Sequence, residues 1–171
     1  MQCTIPVSLI NRGMLLQELL PAIALFACAI GLAFYGGLEP KKKAFGIVLL
    51  CVIGLATSAS TALLSLRSKA VVDGDTAILH AGFWKAELPL AALVDANATD
   101  QIGASLRTRT NGMSSRGVNA GWFQDASGRR IFAMSSGPKR VLVPTAGEFS
   151  VVLDQSTYDA LKHCGGPSSS R

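Results

Sequence analysis

Residues 19–38, LLPAIALFACAIGLAFYGGL, and residues 44–66, AFGIVLLCVIGLATSASTALLSL, contain no Lys, Arg, Asp or Glu. As helices, runs of 20 and 23 residues each span about 30 Å, the thickness of a bilayer's hydrocarbon core. Only Glu39, Pro40, Lys41, Lys42 and Lys43 separate them. A connection that short predicts an antiparallel two-helix transmembrane hairpin. Pro21 falls in the first turn of the first run, where a missing N–H costs little. No ionisable side chain lies within either run, so the pattern gives no ion path or proton relay.

The rival reading of the first run is a cleaved signal peptide, with Arg12 as its basic region and residues 19–35 as its apolar core. The run is long for that role and no Ala-x-Ala site follows it, so both spans are expected in the mature chain. Ala27 and Gly31 fall four residues apart, as do Gly54, Ser58 and Ala62. Two readings stand: ridges that let two backbones approach, or the ordinary abundance of small residues in membrane helices. Before the hairpin, residues 1–18 form a mixed lead-in: Ile5, Val7, Leu9, Ile10, Met14, Leu15 and Leu16, broken by Arg12 and Glu18. It reads as an interfacial segment, an extension of the first helix or disordered chain, the interfacial segment being favoured.

The whole chain has 171 residues, is 49% hydrophobic, and carries +5. The average hides two unlike halves. Residues 67–171 hold 12 Lys and Arg against 9 Asp and Glu, a net of +3. The Lys triplet between the spans supplies much of the rest. Basic residues beside a bilayer meet anionic headgroups, so the charge does not point to nucleic acid. Cys3, Cys28, Cys51 and Cys164 show no paired spacing, and neither His80 nor His163 sits beside a second ligand type in a zinc pattern. The cysteines predict no disulfide in the soluble part and no metal.

From Ala70 onward the pattern becomes short strands with turn punctuation. Residues 70–72 and 76–80 flank Asp73-Gly74, a hairpin signal. Ala81-Gly82 precedes a strand over 83–88, which Pro89 ends. Residues 90–95 read as a loop returning to a strand, with further strands over 106–110, 118–124, 130–134, 140–143 and 148–153. After Leu153 the period becomes helical, with Ser156 as cap, Asp159 reaching back, and Gly165-Gly166-Pro167 as the stop. About seven strands and one terminal helix predict a small barrel or orthogonal sandwich with the helix over one open end. The domains expected are 1–18, the hairpin over 19–66, a mainly β domain over 67–163, and a disordered tail over 164–171.

Arg109-Thr110-Asn111-Gly112, followed by Gly117-Val118-Asn119-Ala120-Gly121-Trp122-Phe123, resembles the core signature of a bacterial pleckstrin-homology-like (PH-like) domain family. Residues 140–145, RVLVPT, look like that family's final strand pair, and a terminal helix follows. The resemblance covers about 70–163. Where the family often has a Pro or second Gly after Asn-Gly, this chain has Met113-Ser114-Ser115-Arg116. The resemblance implies two nearly orthogonal antiparallel sheets capped by a C-terminal helix, a membrane-anchored form in the bacterial cell (inner) membrane, and no enzymatic activity. Phosphoinositide binding, familiar in eukaryotic relatives, does not carry over.

Arg107 and Arg109 are two apart, so on a strand they share a face, and Arg116 lies in the adjoining loop. Together they could grip an acidic headgroup or a partner's carboxylate, or they form a solvated face or pair with an Asp. Asn111-Gly112 reads as a turn. Trp122 and Phe123 point to opposite faces, one into the core, the other beneath the terminal helix or onto the surface; Phe83-Trp84 poses the same choice. No nucleophile elbow, zinc-protease motif or phosphate-binding loop occurs, and Asp73 with Asp75 is ordinary turn chemistry. Cys164 after His163 lacks walls to exclude water.

These features predict a non-enzymatic PH-like module, anchored in the bilayer, that binds a protein partner or a second copy, with no cofactor and no small-molecule substrate. The alternative is an electrostatic sensor of anionic lipid headgroups. Positive charges near the spans tie, Lys41, Lys42 and Lys43 against Arg12, Arg67 and Lys69, so they do not orient the hairpin. An unpaired Cys164 and the PH-like resemblance place the soluble domain in the cytosol.

Overall fold

A computed structural model describes residues 2–10, 12–37, 39–94, 99, 106–115, 117–145 and 147–165. The chain divides into two compact units: Arg12–Leu63, and Met1–Asn11 together with Leu64–Arg171.

The first unit is helical. Helix α1 spans Arg12–Phe34 and α2 spans Pro40–Arg67. α1 stops short of the expected Leu38 because a Gly36-Gly37 pair follows it; the Tyr35 N–H closes the last turn on the Gly31 and Leu32 carbonyls at 3.1 and 3.3 Å. Pro40 opens α2 at the position where its ring is already helical. Among the described residues, α2 is the one helix long and apolar enough to cross a membrane; the apolar part of α1, Leu19–Phe34, is shorter. The small residues divide between the two readings. A Cβ at Gly54 would meet the Phe26 ring at 3.3 Å, whereas one at Gly31 would meet nothing within 4 Å. The Thr57 and Ser58 hydroxyls both donate to the Gly54 carbonyl at 2.9 Å, which satisfies them inside an apolar helix.

The second unit is mainly β. Strands β1 (Gln2–Pro6), β2 (Lys69–Asp73), β3 (Thr76–Ala81) and β4 (Trp84–Pro89) form an antiparallel sheet in that order. Strands β5 (Thr108–Ser115), β6 (Val118–Gln124), β7 (Arg130–Ser135), β8 (Arg140–Val143) and β9 (Phe149–Asp154) form a second sheet, ordered β5-β6-β7-β9-β8. A short helix α3 (Leu90–Val94) and a terminal helix α4 (Gln155–Gly165) complete the unit. Neither sheet closes on itself among the described residues.

Several expectations change here. Part of the lead-in is a strand: β1 pairs with β2 from Gln2↔Asp73 to Pro6↔Lys69, so residues outside 67–163 belong to the β unit. The free edge of β2 offers a ladder of N–H and C=O groups that β1 satisfies. Residues 90–94 are helical rather than a loop returning to a strand; the Leu90 N–H donates to the Asp75 carbonyl at 2.8 Å, and Leu93 is fully buried. Among the described residues nine strands replace the seven or so expected, and β7 runs parallel to β9, from Arg130↔Phe149 to Met134↔Leu153, where all-antiparallel sheets were expected. Both strands are buried along nearly their whole length, as their unbroken apolar runs, IFAM and VVL, require. The expected tail over 164–171 lies outside the described residues beyond Gly165.

Cys164 is not free. It forms a disulfide with Cys3, Cα atoms 6.2 Å apart across a separation of 161 residues, and so fastens α4 to β1. No local spacing could reveal a pair drawn together by β1 pairing with β2 and by α4 packing on both strands.

Candidate functional site

The signature stretch does structural work. Asn111-Gly112 is not a turn but lies within β5, where a bulge falls between Arg109 and Asn111. Gly112 sits directly opposite Gly121 on β6, and together they make a bare patch of backbone. Trp84 of β4 lies on it: a Cβ at Gly121 would stand 2.8 Å from the Trp84 ring and 2.7 Å from the Asn111 carbonyl oxygen. Gly121 also holds φ at +103°, which L side chains rarely adopt. The Trp84 Nε1–H donates to Asn111 Oδ1 at 3.0 Å, so the indole joins the two sheets with its polar atom satisfied. Phe83, its neighbour, is exposed.

The Trp122-Phe123 alternative also resolves. Phe123 enters a buried cluster with Ile131, Ala133 and Val152, flanked by Leu106 and Leu142. Trp122 stands edge-on to Phe132 and Phe149, each at 5.0 Å, with the Arg130 guanidinium 4.4 Å over its ring.

Arg107 and Arg109 precede the bulge and are both exposed. Arg109 is opposite Phe123 in the register, and the Arg107 N–H donates to the Gln124 carbonyl at 3.1 Å. Arg116, the third member expected, lies outside the described residues. Arg140 is committed elsewhere: its Nε donates to the Gly137 carbonyl and its Nη2 to the Gly117 carbonyl, both at 2.9 Å.

A cleft of about 590 Å³ forms where sequence reading placed no site. Its walls are the chain leaving β1 (Pro6, Val7 and Ser8), the β7–β8 turn from Ser136 to Lys139, and the β9–α4 junction with Asp154, Ser156 and Asp159. Asp154 ends β9, and its carboxylate reaches the β7–β8 turn. It accepts from the Ser136 N–H at 2.9 Å, the Gly137 N–H at 2.9 Å and the Ser136 hydroxyl at 3.3 Å. The Ser136 hydroxyl also lies 2.6 Å from the Ser8 carbonyl oxygen. The Gln155 N–H donates to the Lys139 carbonyl at 3.1 Å, tying the helix to the same turn. α4 therefore begins at Gln155, one residue before the Ser156 cap expected, and Asp159 accepts from the Gln155 side chain at 2.9 Å rather than reaching back. The walls of the cleft are hydrogen-bonded in place, and Asp154 is occupied in holding them. The sequence signal was present but unread: an Asp at a strand–helix junction and a Ser-Gly-Pro turn need a partner, and each is the other's.

Two groups outside the cleft have displaced pKa values. The Ser127 hydroxyl lowers Asp125 below its ordinary value; desolvation opposes it, and the Arg129 and Ser127 N–H groups with the Arg129 charge add to the lowering. Burial lowers His80, helped by Lys85 and Lys69 on the adjoining strands and opposed by Glu87. Among the described residues no group of three His, Cys, Asp or Glu side chains is placed to hold a metal ion.

Comparison with models of known protein families, with curated proteins and with solved structures finds no match.

Proposed function

We propose that the chain is a membrane-anchored, non-enzymatic module whose β unit receives a segment of a protein partner in the cleft between the β1 exit, the β7–β8 turn and α4. The cleft carries this reading. Its lining offers hydroxyls, main-chain groups and charges of both signs, Lys139 and Asp159, which suit an extended polypeptide carrying donors and acceptors along its length. Its walls are fixed by Asp154 and Ser136, so little ordering is required on binding.

The anchor is a transmembrane hairpin. β1 and β2 pair in one sheet, so the chain leaves the β unit before Arg12 and returns to it by Leu64. A folded unit lies on one side of a bilayer. If α2 crosses, α1 must cross as well. The charge-free part of α1 beyond Glu18, Leu19–Phe34, is about 24 Å long, and local thinning of the bilayer absorbs the shortfall. The membrane is a bacterial cell membrane on the strength of the PH-like resemblance, which also supports reading two sheets and a terminal helix as a PH-like arrangement; the parallel β7–β9 pair departs from it.

The exposed Arg107 and Arg109 support a second reading, contact with anionic headgroups. Photo-crosslinking in native membranes separates the two. A photoreactive residue at Lys139 or Ser156 is expected to capture a polypeptide, a second copy of this chain included, and the adduct should survive moderate salt. Capture at position 109 alone, abolished as ionic strength rises, would overturn the cleft reading in favour of the headgroups.

A further inference from the structure

We propose that the Cys3–Cys164 disulfide lies on the oxidising face of the membrane, so that the β unit is displayed there and Lys41, Lys42 and Lys43 face the cytosol. The proposal rests on the reading of α1 and α2 as two membrane crossings.

Two independent observations carry it. The first is the pair itself. The cysteines come from opposite ends of the chain, and their Cα atoms stand 6.2 Å apart, within the range a disulfide spans. Both side chains are partly exposed, so a redox partner can reach them. Such bonds persist in oxidising compartments and are kept reduced in most cytosols. The unpaired Cys164 that argued for the cytosol is therefore paired, and argues the other way. The other two cysteines, Cys28 and Cys51, lie within the apolar helices.

The second observation is charge. Lys41, Lys42 and Lys43 occupy a short connection, where basic residues count most towards a cytosolic placement; acidic neighbours count little, so the Glu39–Lys42 ion pair does not cancel them. On the other side Lys69 belongs to β2, part of a folded unit, and folded units cross largely regardless of their charge. The three-to-three tie thus loses a member on the domain side.

The chemistry balances by exchange. One cysteine thiolate attacks a disulfide oxidant of that compartment, protein or small molecule, and forms a mixed disulfide. The second thiolate then displaces it. One S–S bond forms as one breaks, and the two electrons and two protons leave on the oxidant as two thiols.

The test uses the full chain in cells. Alkylation with a mass-tagging maleimide in denaturant, before reduction, is expected to tag only the two free cysteines; after reduction all four are tagged. With Cys28 and Cys51 replaced by Ala, Ala126→Cys should react with a membrane-impermeant maleimide in intact cells, and Lys42→Cys only after permeabilisation. Four tags before reduction, or the reversed labelling pattern, overturns the proposal. Release of the chain by alkaline carbonate overturns the two-crossing reading, and this proposal with it. Retention in the membrane with reversed labelling overturns the sidedness alone.

Discussion

Replacing Gly121 with Ala tests whether the two sheets meet as described. The added Cβ would lie 2.7 Å from the Asn111 carbonyl oxygen, 2.7 Å from Gly112 Cα and 2.8 Å from the Trp84 ring. Two of those atoms are backbone in a paired strand and cannot swing aside. The positive φ costs an L residue about 1–2 kcal/mol. Overpacking adds about 1–3 kcal/mol, for a total of roughly 3 kcal/mol. Gly128 is the control. It holds φ at +83°, but a Cβ there meets nothing within 4 Å, so Gly128→Ala bears only the backbone cost. The difference between the variants, roughly 2 kcal/mol, isolates the close approach and corresponds to about 8–16 °C in melting temperature for a domain near 100 residues. Tryptophan fluorescence during urea unfolding in detergent is the assay, because Trp84 and Trp122 are the only tryptophans and both lie in the β unit. Equal destabilisation by the two substitutions would refute the Trp84 seat on the glycine pair.

Two further outcomes follow from the hydrogen bonding. The folded-state pKa of Asp125 is lowered, so its charge stabilises the β6–β7 turn above the usual carboxylate pKa and the contribution is lost as pH falls through the folded value. Asp125→Asn should accordingly be less stable than the parent at neutral pH, with the gap closing below about pH 4; a gap independent of pH would contradict this. A fragment starting at Arg67 lacks β1 and Cys3, leaving the β2 edge unpaired, and should melt at least about 5 °C below the β unit of the full chain; equal melting would show β1 to be dispensable.

The sequence carried the helices and most strands because their signals are local. The charge-free runs, Asp73-Gly74 and the strand over residues 118–124 each declare themselves without a distant partner. What it hid is what distant partners decide. The alternation of Cys3 and Ile5 becomes a strand only once β2 offers its edge. Asn111-Gly112 has turn chemistry, yet the need for a flat seat beneath Trp84, 27 residues earlier, keeps it extended. β7 and β9 look like any apolar strands, and nothing in either fixes parallel pairing. Arg107 and Arg109, singled out by spacing, are both exposed. The cleft was not legible, since its walls come from three segments more than 100 residues apart at the extremes.

The pairing of β1 with β2 also sets an order of events during synthesis. Residues 2–6 leave the ribosome before either helix, but their partner begins at Lys69, 63 residues after Pro6. At about 5–20 residues per second, β1 waits roughly 3–13 s as an unmatched edge while both helices are made. It cannot join its sheet until both helices have been made and β2 has followed them. The first strand of the β unit is thus completed late, and a chain arrested before Lys69 leaves it as an unpaired edge.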